Sequence, residues 1–403
     1  MTPGRHVMIA GAGIAGLTAA LALARAGLRV SVFEQAEKLK ETGAGIQLAP
    51  NATRILIALG LGERLKAVAF FPRAIRVMAG GAANEIVRIP LGKHAENRYG
   101  APYWTVHRGD LQKVLAQAAG EHPDIALRLG TRIEDFALYG GGVTVQGRRG
   151  ADVVDERGIA LIGADGVWST MRARVRRQRP PRFRNRTAWR ALVPANALSK
   201  IWQEPVVNLW LGIDAHLVHY PVKDGSLVNI VAVVQDHWRS EGWDTAGNRA
   251  EILRHFQRWS WAEPARRLIA VPAQWQKWAL YDRSASQRGG SGPVTLIGDA
   301  AHPMLPFLAQ GAGMAIEDAA VLAYALKQNL ADPPAGLRAY ERARRRRTAA
   351  AQRASRRQGR IYGLTGPEAL VRNLGMRMLG GEKLLARQDW LYSWKPPARF
   401  RDA

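Results

Sequence analysis

Apolar and polar residues follow two rhythms along this chain, and the change of rhythm divides it. Val7-Met8-Ile9-Ala10 is a short apolar, partly β-branched run that predicts a buried strand. Gly11-Ala12-Gly13-Ile14-Ala15-Gly16 follows at once. Leu17, Leu21, Ala24 and Leu28 then recur at helical spacing, with Gly27 placed to close the helix. Arg29 to Phe33 predicts a second strand, ending at Glu34. Two later strands also run straight into turns. Ala160 to Gly163 leads into Ala164-Asp165-Gly166, with Ser169 placed to cap a following helix. Val294 to Ile297 leads into Gly298-Asp299-Ala300-Ala301-His302-Pro303. Gln310-Gly311-Ala312-Gly313 precedes a long helical pattern from Met314 onward that carries Glu317 and Asp318. Between Phe183 and Asp282 the rhythm is strand-like, with strands predicted over Val206 to Trp210, His216 to Val222 and Leu227 to Gln235. Glu251 to Trp259 reads as an amphipathic helix.

The opening strand–turn–helix–strand unit is a dinucleotide site by its chemistry. Gly11 permits the tight turn, Gly13 lets the backbone approach a pyrophosphate, and Gly16 allows close packing of helix on strand. The helix N-terminus offers unpaired N–H groups to phosphates. Glu34 stands where an acid takes the ribose hydroxyls of an adenosine. The site so read comprises Gly11, Ala12, Gly13, Ala15, Gly16, Glu34 and Gln35. Whether the dinucleotide is FAD or NAD is not settled by this unit alone.

Composition narrows the chemistry. The 403 residues are 47% apolar and 23% charged, enough for two or three domain-sized units with a real core. The chain has no cysteine, which excludes thiol catalysis, disulfides, Cys-ligated zinc and iron–sulfur clusters, and no metal site is expected. No basic region followed by a cleavage site opens the chain, so a cytoplasmic protein is expected. The uncharged run Val7 to Ala24 is rich in Ala and Gly and reads as the nucleotide unit rather than a membrane span. A net charge of +25 is concentrated in two arginine-rich stretches, Arg172 to Arg190 and Arg338 to Arg360. Solvated helix faces are the first reading of these and attraction of acidic substrates the second. No aromatic interleaving or recognition motif supports nucleic-acid binding.

With these motifs in order, the chain resembles the class A flavoprotein monooxygenases, the para-hydroxybenzoate hydroxylase superfamily. Its three glycine-punctuated turns look like that family's GxGxxG, DG and GD fingerprints. Within it the chain is most similar to the salicylate hydroxylase, 3-hydroxybenzoate 6-hydroxylase and 6-hydroxynicotinate 3-monooxygenase branch. Gly43-Ala44-Gly45-Ile46-Gln47-Leu48, Pro50-Asn51, Arg108-Gly109-Asp110-Leu111-Gln112, Trp189-Arg190-Ala191-Leu192, His219-Tyr220-Pro221-Val222 and Trp278 to Arg283 extend the match from about residue 5 to 345. The resemblance implies an α/β fold in which a Rossmann-like FAD-binding domain is interleaved with a β-sheet substrate domain, followed by C-terminal helices. The expected division is 1–182 for the first FAD-binding part, with inserted strands around 70–110. Residues 183–282 form the substrate sheet, 283–360 the second FAD-binding part with a long helix, and 361–403 a segment packed on the body.

The same resemblance implies roles. Asp299 holds the ribityl chain of FAD, while Arg108 and Gln112 reach its pyrophosphate and ribityl region. Asp165 serves FAD and a transient nicotinamide, and Gly45 and Ile46 flank the flavin. Gly311, Ala312 and Gly313 bring a helix N-terminus to the flavin's N1/C2 edge, where a positive helix end stabilises the reduced anion. NADH or NADPH is the reductant, docking briefly because no second GxGxxG unit exists. O2 adds at flavin C4a to give an electrophilic hydroperoxide that only an electron-rich ring attacks. His216 and Tyr220 share one face of their strand and are the preferred substrate contacts, with His216 as a base titrating near neutrality. His219 is the competitor, and Gln47 and Pro306 are lesser candidates.

Two departures stand out: Ser284 to Gly290 lacks the proline and tryptophan common in relatives, and Arg184-Asn185-Arg186 replaces a Gly-containing turn. Trp259-Ser260-Trp261-Ala262-Glu263-Pro264 echoes a halogenase signature but reads as packing. A terminus containing Trp390 to Trp394 is expected to pack on the body, with a mobile Pro- and Arg-rich end. The leading function is hydroxylation of a small aromatic substrate of the hydroxybenzoate, salicylate or hydroxynicotinate kind by a monomer or homodimer. The alternative is a larger polycyclic or quinolone-like substrate, and a flavoprotein that merely oxidises NADH is a third.

Overall fold

A computed structural model describes residues 5–39, 44–175, 180–241, 245–258, 261–283 and 289–398. Its first sheet explains why motifs far apart in sequence belong together. Five parallel strands lie in the order Val294–Leu296, Ala160–Gly163, His6–Ala10, Arg29–Glu34 and Ile125–Leu129. The three strands that end in glycine-bearing turns are therefore immediate neighbours. Parallel strands present their carboxyl ends at one edge, so the three turns gather there. The ladder continues into the turns: Ala164 N–H donates to Ala10 O at 2.8 Å, and Ile297 N–H to Gly163 O at 3.0 Å.

Close approach fixes the glycines. A Cβ added to Gly16 would sit 1.9 Å from Gly11 O, and Gly11, at φ +110°, would place one 2.6 Å from Ala164 O. The helix Ile14–Arg25 closes as its sequence predicts. Gly27 takes φ +85° while Leu28 N–H reaches back to Leu23 O at 3.1 Å and Gly27 N–H to Ala24 O at 2.9 Å. This helix packs against the helix Gly311–Lys327, which begins three residues before the expected Met314 and is buried along most of its length.

The second large sheet has eight strands in the order Thr245–Gly247, Trp275–Asp282, Arg182–Pro194, Leu227–Gln235, Ala215–Val222, Val206–Leu211, Ala74–Ala79 and Glu85–Pro90. The three strands predicted in the middle segment fall within a residue of their expected ends. Of the strands expected as an insertion around 70–110, Trp104–His107 pairs with Gly45–Leu48, whereas two others join the second sheet. Ala74–Ala79 pairs in parallel with Val206–Leu211 and extends the substrate sheet. Nothing in the local pattern of 74–90 names its distant partner, because period-two alternation fixes a face and not a neighbour.

Two members of the arginine-rich stretches differ from the first expectation. Arg338 to Arg360 lies in the helix Pro333–Tyr362, yet Arg344 is buried against Glu317 and Asp318. Arg172 is buried too, donating to Val167 O at 2.6 Å and Ala300 O at 3.0 Å, so it ties the second glycine turn to the third. These two cations are structural fasteners, while Arg342, Arg345, Arg346, Arg353, Arg357 and Arg360 of the same long helix as Arg344 are exposed, as the solvated-face reading expects. Residues 176–179 of the first stretch, 284–288 of the departing loop, Trp259 and Ser260 of the tryptophan motif, Gly43, and the last five residues lie outside the described residues. Trp261 is a packing residue, stacked on Phe256 at 4.7 Å and lying against Gly80 and Gly212. The last long helical stretch, Gly366–Ala386, is broken by a kink at Gly380 (φ +70°) where it crosses the edge strand Glu85–Pro90, with Gly381 so close that a Cβ would sit 1.9 Å from Arg88 O. Among the described residues no helix is long and apolar enough to cross a membrane.

Candidate active site

A cavity of about 240 Å³ lies between the edge of the parallel sheet and the eight-stranded sheet. The expected residues fall on its opposite walls. Arg108, Asp299, Gly311 and Ala312 line one, and His216, Tyr220 and Trp278 the other, with Gly45, Ile46, Gln47 and Pro306 between them. Asp299 sits in a single turn that follows the strand Val294–Leu296. Burial raises its carboxyl, against the opposing pull of His302 and Arg108. Gly311 and Ala312 open a helix whose first intrahelical acceptor bond is Met314 N–H to Gln310 O. Their own N–H groups have no intrahelical acceptor, so a positive helix end borders the cavity.

The first glycine turn is built as an anion cradle. An added Cβ at Gly13 meets no atom within 4 Å, so the backbone there faces open space at a helix N-terminus. Glu34 accepts from Ala12 N–H at 2.9 Å and Ala36 N–H at 3.0 Å, which fixes its carboxylate beside the turn, while Gln35 next to it is exposed. Gln112 donates to Ala12 O at 2.9 Å, so it braces the turn directly. Ala15 packs on Gly298, where a Cβ would lie 2.9 Å from the Ala15 methyl. Gly313 abuts the buried pair Gln310 and Asn51.

Asp165 divides its carboxylate. One oxygen accepts from Met171 N–H at 3.0 Å and Thr170 Oγ1 at 3.3 Å, holding the start of the short helix Thr170–Val175. Its Oδ1 is buried with no partner among the described residues. Ser169 caps the same helix as expected, accepting from Arg172 N–H at 2.9 Å.

On the sheet wall, period-two alternation sorts the histidines. His216 and Tyr220 face the cavity from the strand Ala215–Val222. His216 packs with its ring tilted 55° against Phe307, at 5.4 Å, and against Tyr362, at 5.2 Å. Burial, aided by the Arg186 charge, pushes the His216 imidazole down to about 3. This direction runs against the expected titration near neutrality, and no carboxylate is among the influences on the ring. His219 lies opposite, as strand alternation expects, and away from the cavity that it was a candidate to line. It accepts from Trp210 Nε1–H at 3.1 Å and packs on Trp202 at 5.2 Å, so its ring belongs to the core. Burial raises the Tyr220 phenol, with Arg190 and a hydrogen bond from Gln47 opposing.

Several further residues of the wall were given no role by the sequence. Arg190 lines the cavity with its guanidinium 3.5 Å from the Trp278 ring centroid. Tyr103 donates to Gln47 Oε1 at 2.6 Å, and Asn229 accepts from Gly45 N–H at 2.7 Å. A Cβ on Gly45 would lie 2.6 Å from Tyr220 and 2.8 Å from Asn229. Gly45→Ala is thus expected to displace Tyr220 at an overpacking cost of about 1–3 kcal/mol and to weaken ligand binding in the cavity roughly tenfold. Gly120→Ala, where a Cβ meets nothing within 4 Å, is the control. Unchanged binding in the Gly45 variant, measured by ligand titration, would remove the Gly45–Tyr220 contact from the site.

A family model described as FAD binding domain matches residues 5–355. The 3-hydroxybenzoate 6-hydroxylase of Polaromonas naphthalenivorans (strain CJ2) is 38% identical over 388 residues, 96% of each chain. The 3-amino-4-hydroxybenzoate 2-monooxygenase PtmB3 of Streptomyces platensis is 37% identical, with 97% of this chain and 96% of that one covered. Among solved structures, a salicylate hydroxylase substrate complex superposes with a TM-score of 0.82 at 28% identity, covering 100% of this chain and 98% of that one. Klebsiella pneumoniae HpxO complexed with FAD and uric acid gives 0.82 at 25% identity, with 95% of each chain covered.

Proposed function

Since the chain belongs to the FAD binding domain family and is one of its FAD- and NAD(P)H-dependent aromatic monooxygenases, we propose that it hydroxylates an electron-rich aromatic acid held between the Asp299 wall and the His216–Tyr220 wall. The single observation that carries this reading is that both walls belong to one cavity. The residues fit FAD: an open glycine cradle for a pyrophosphate, a fixed Glu34 carboxylate for a ribose, and an unpartnered Asp165 oxygen at the next turn. In this assignment Gly11, Ala12, Gly13, Ala15 and Gly16 form the cradle, with Gln35 beside Glu34. Arg108, braced Gln112 and Asp299 serve the middle of the cofactor, and Gly45, Ile46, Gly311, Ala312 and Gly313 surround its ring. Bound FAD supplies the chemistry: it takes reducing equivalents from NADH or NADPH and activates O2 for transfer to the substrate ring.

The chain's own residues do the rest. His216, held neutral, accepts a hydrogen bond from the substrate's phenolic O–H and so increases electron density in the ring. Full proton transfer from a phenol near pKa 10 to a ring whose acid sits at about 3 is strongly uphill. His216 is therefore a polariser rather than a base. Tyr220, its phenol protonated by burial, donates or accepts as a neutral hydroxyl, and Gln47 holds it in place. Pro306 closes the ring's edge. The Arg190 guanidinium gives this wall positive charge, which suits a carboxylate-bearing ring.

The reading includes a cytoplasmic setting, where the nicotinamide reductant is found, and a monomer or homodimer with no nucleic-acid partner. The proposed division keeps 1–182 and 283–360 with the cofactor, apart from the strands Ala74–Ala79 and Glu85–Pro90 that extend the substrate sheet, and 183–282 with the substrate. A screen of hydroxybenzoates, salicylate and hydroxynicotinates against the FAD-loaded protein tests the function. At least one is expected to accelerate NADH or NADPH oxidation and appear as a ring-hydroxylated product. Acceleration with all reducing equivalents recovered as hydrogen peroxide would instead leave an oxidase.

A further inference from the structure

His216 has a second side. Beyond its clamp with Phe307 and Tyr362 lies a chamber of about 820 Å³ that shares Gln47, His216, Val218, Pro306 and Ala309 with the smaller cavity. A cavity of about 150 Å³ suffices for a benzene ring, so this chamber is several times larger than a hydroxybenzoate ring requires. Ile75, Val77 and Leu209 of the eight-stranded sheet form one wall, and Leu364, Met376 and Leu379 form the other. The Arg372 guanidinium that borders it is committed to the carbonyls of Ile361, Tyr362 and Leu364. Glu368 and Val371 are exposed at its rim on the helix Gly366–Ala386.

We infer that the chamber receives a linear alkyl extension carried on the substrate ring, so the preferred substrate is a hydroxylated aromatic acid or phenol with such a chain. This rests on the hydroxylase reading above and deepens it by naming the substrate class. The shared wall is the reason to join chain to ring. Anything filling the chamber abuts His216 and Pro306, and His216 and Gln47 at that junction are the polar groups that address a ring. The apolar walls then gain from every methylene withdrawn from water.

Gly375 provides the probe. It lies in the helix Gly366–Ala386 and lines the chamber, and an added Cβ there meets no atom within 4 Å. Dissociation constants are to be measured for the FAD-loaded protein with hydroxybenzoic acids bearing n-alkyl chains from none to octyl. Equilibrium dialysis and the ligand-induced change in flavin absorbance are the readouts. Affinity is expected to rise about fourfold per added methylene over the first several carbons. Gly375→Trp, which fills the chamber, is expected to erase that rise while leaving the unsubstituted acid within twofold, and Gly375→Ala to behave as the parent. Affinity independent of chain length overturns the inference. So does a Gly375→Trp variant that weakens substituted and unsubstituted acids alike, or octanoate binding as tightly as the octyl-substituted acid. If unsubstituted acids are hydroxylated while chain length has no effect, the hydroxylase reading stands and the chamber assignment alone falls. Chain-dependent binding with no hydroxylated product from any member of the series overturns both.

Discussion

Replacing Arg344 with Met is expected to cost about 3–5 kcal/mol of stability and to lower the thermal midpoint by roughly 5 °C. The Arg344 guanidinium is 4% exposed and donates to Glu317 and Asp318, each at 2.7 Å, and both carboxylates are fully buried. Removing a cation from such a cluster leaves a charge that neither water nor a partner compensates. Glu317 retains Arg347 at 2.6 Å, while Asp318 would keep His302 and the Gly298 N–H but no permanent cation. Burial acts to raise the Asp318 carboxyl, but the His302 and Arg344 charges outweigh it and hold the group below the usual carboxylate range. That contribution to stability is present above the unfolded pKa and is lost as pH falls through the lowered folded value.

The consequence reaches the cavity. Asp318 accepts from Gly298 N–H at 2.9 Å, and Gly298 begins the turn that carries Asp299. A protonated or displaced Asp318 loosens that turn, so FAD retention is expected to fall along with stability. Arg345→Met, on an exposed position of the same helix, should stay within about 0.5 kcal/mol of the parent. Urea melts and flavin content of the two variants check the point. An Arg344→Met protein as stable as the parent would mean the cluster is not fastened by this cation.

Glycine turns were legible from sequence because the backbone demands them: Gly11 at φ +110° and Gly16 beneath Gly11 O admit no side chain, and that demand is written as residue type. Alternation likewise placed His216 and Tyr220 together and His219 opposite, since a strand's period follows from pleat alone. Arg344 was not legible. Its surroundings, Arg342 to Arg347, look alike in a one-dimensional reading, and only the approach of a helix from 311–327 separates the buried members from the solvated ones. The clamp on His216 was hidden for the same reason, because Phe307 and Tyr362 come from segments 55 residues apart that meet only in the fold. Asp165 was half legible: the turn announces the aspartate, but not that one of its oxygens is spent on capping. The titration of His216 could not be read at all, since residue type gives a pKa near 6.5 and burial with Arg186 sets the rest.

That last point makes His216 the most informative position to change. His216→Ala is expected to lower hydroxylation on the order of 100-fold with FAD content unchanged, because a polarising hydrogen bond is lost while the cofactor wall is not touched. His216→Gln, which keeps an acceptor, should recover part of the rate. The parent's hydroxylation should show no histidine inflection between pH 6 and 7, since the folded imidazole is neutral throughout that window. Stability carries the opposite signature. The unfolded chain protonates His216 near pH 6.5 and the native state only near 3, so the unfolded state binds more protons in between. Stability is therefore full above about pH 6.5 and falls as pH drops toward 3. The slope is on the order of 1 kcal/mol per pH unit for His216, with a similar share from His219, which is also held at about 3. His216→Phe should make the acid limb shallower by its own share when urea midpoints are followed from pH 7 to pH 4. An inflection near pH 6.5 in the parent's hydroxylation that disappears with His216→Ala would show that the ring titrates during turnover and acts as a base after all.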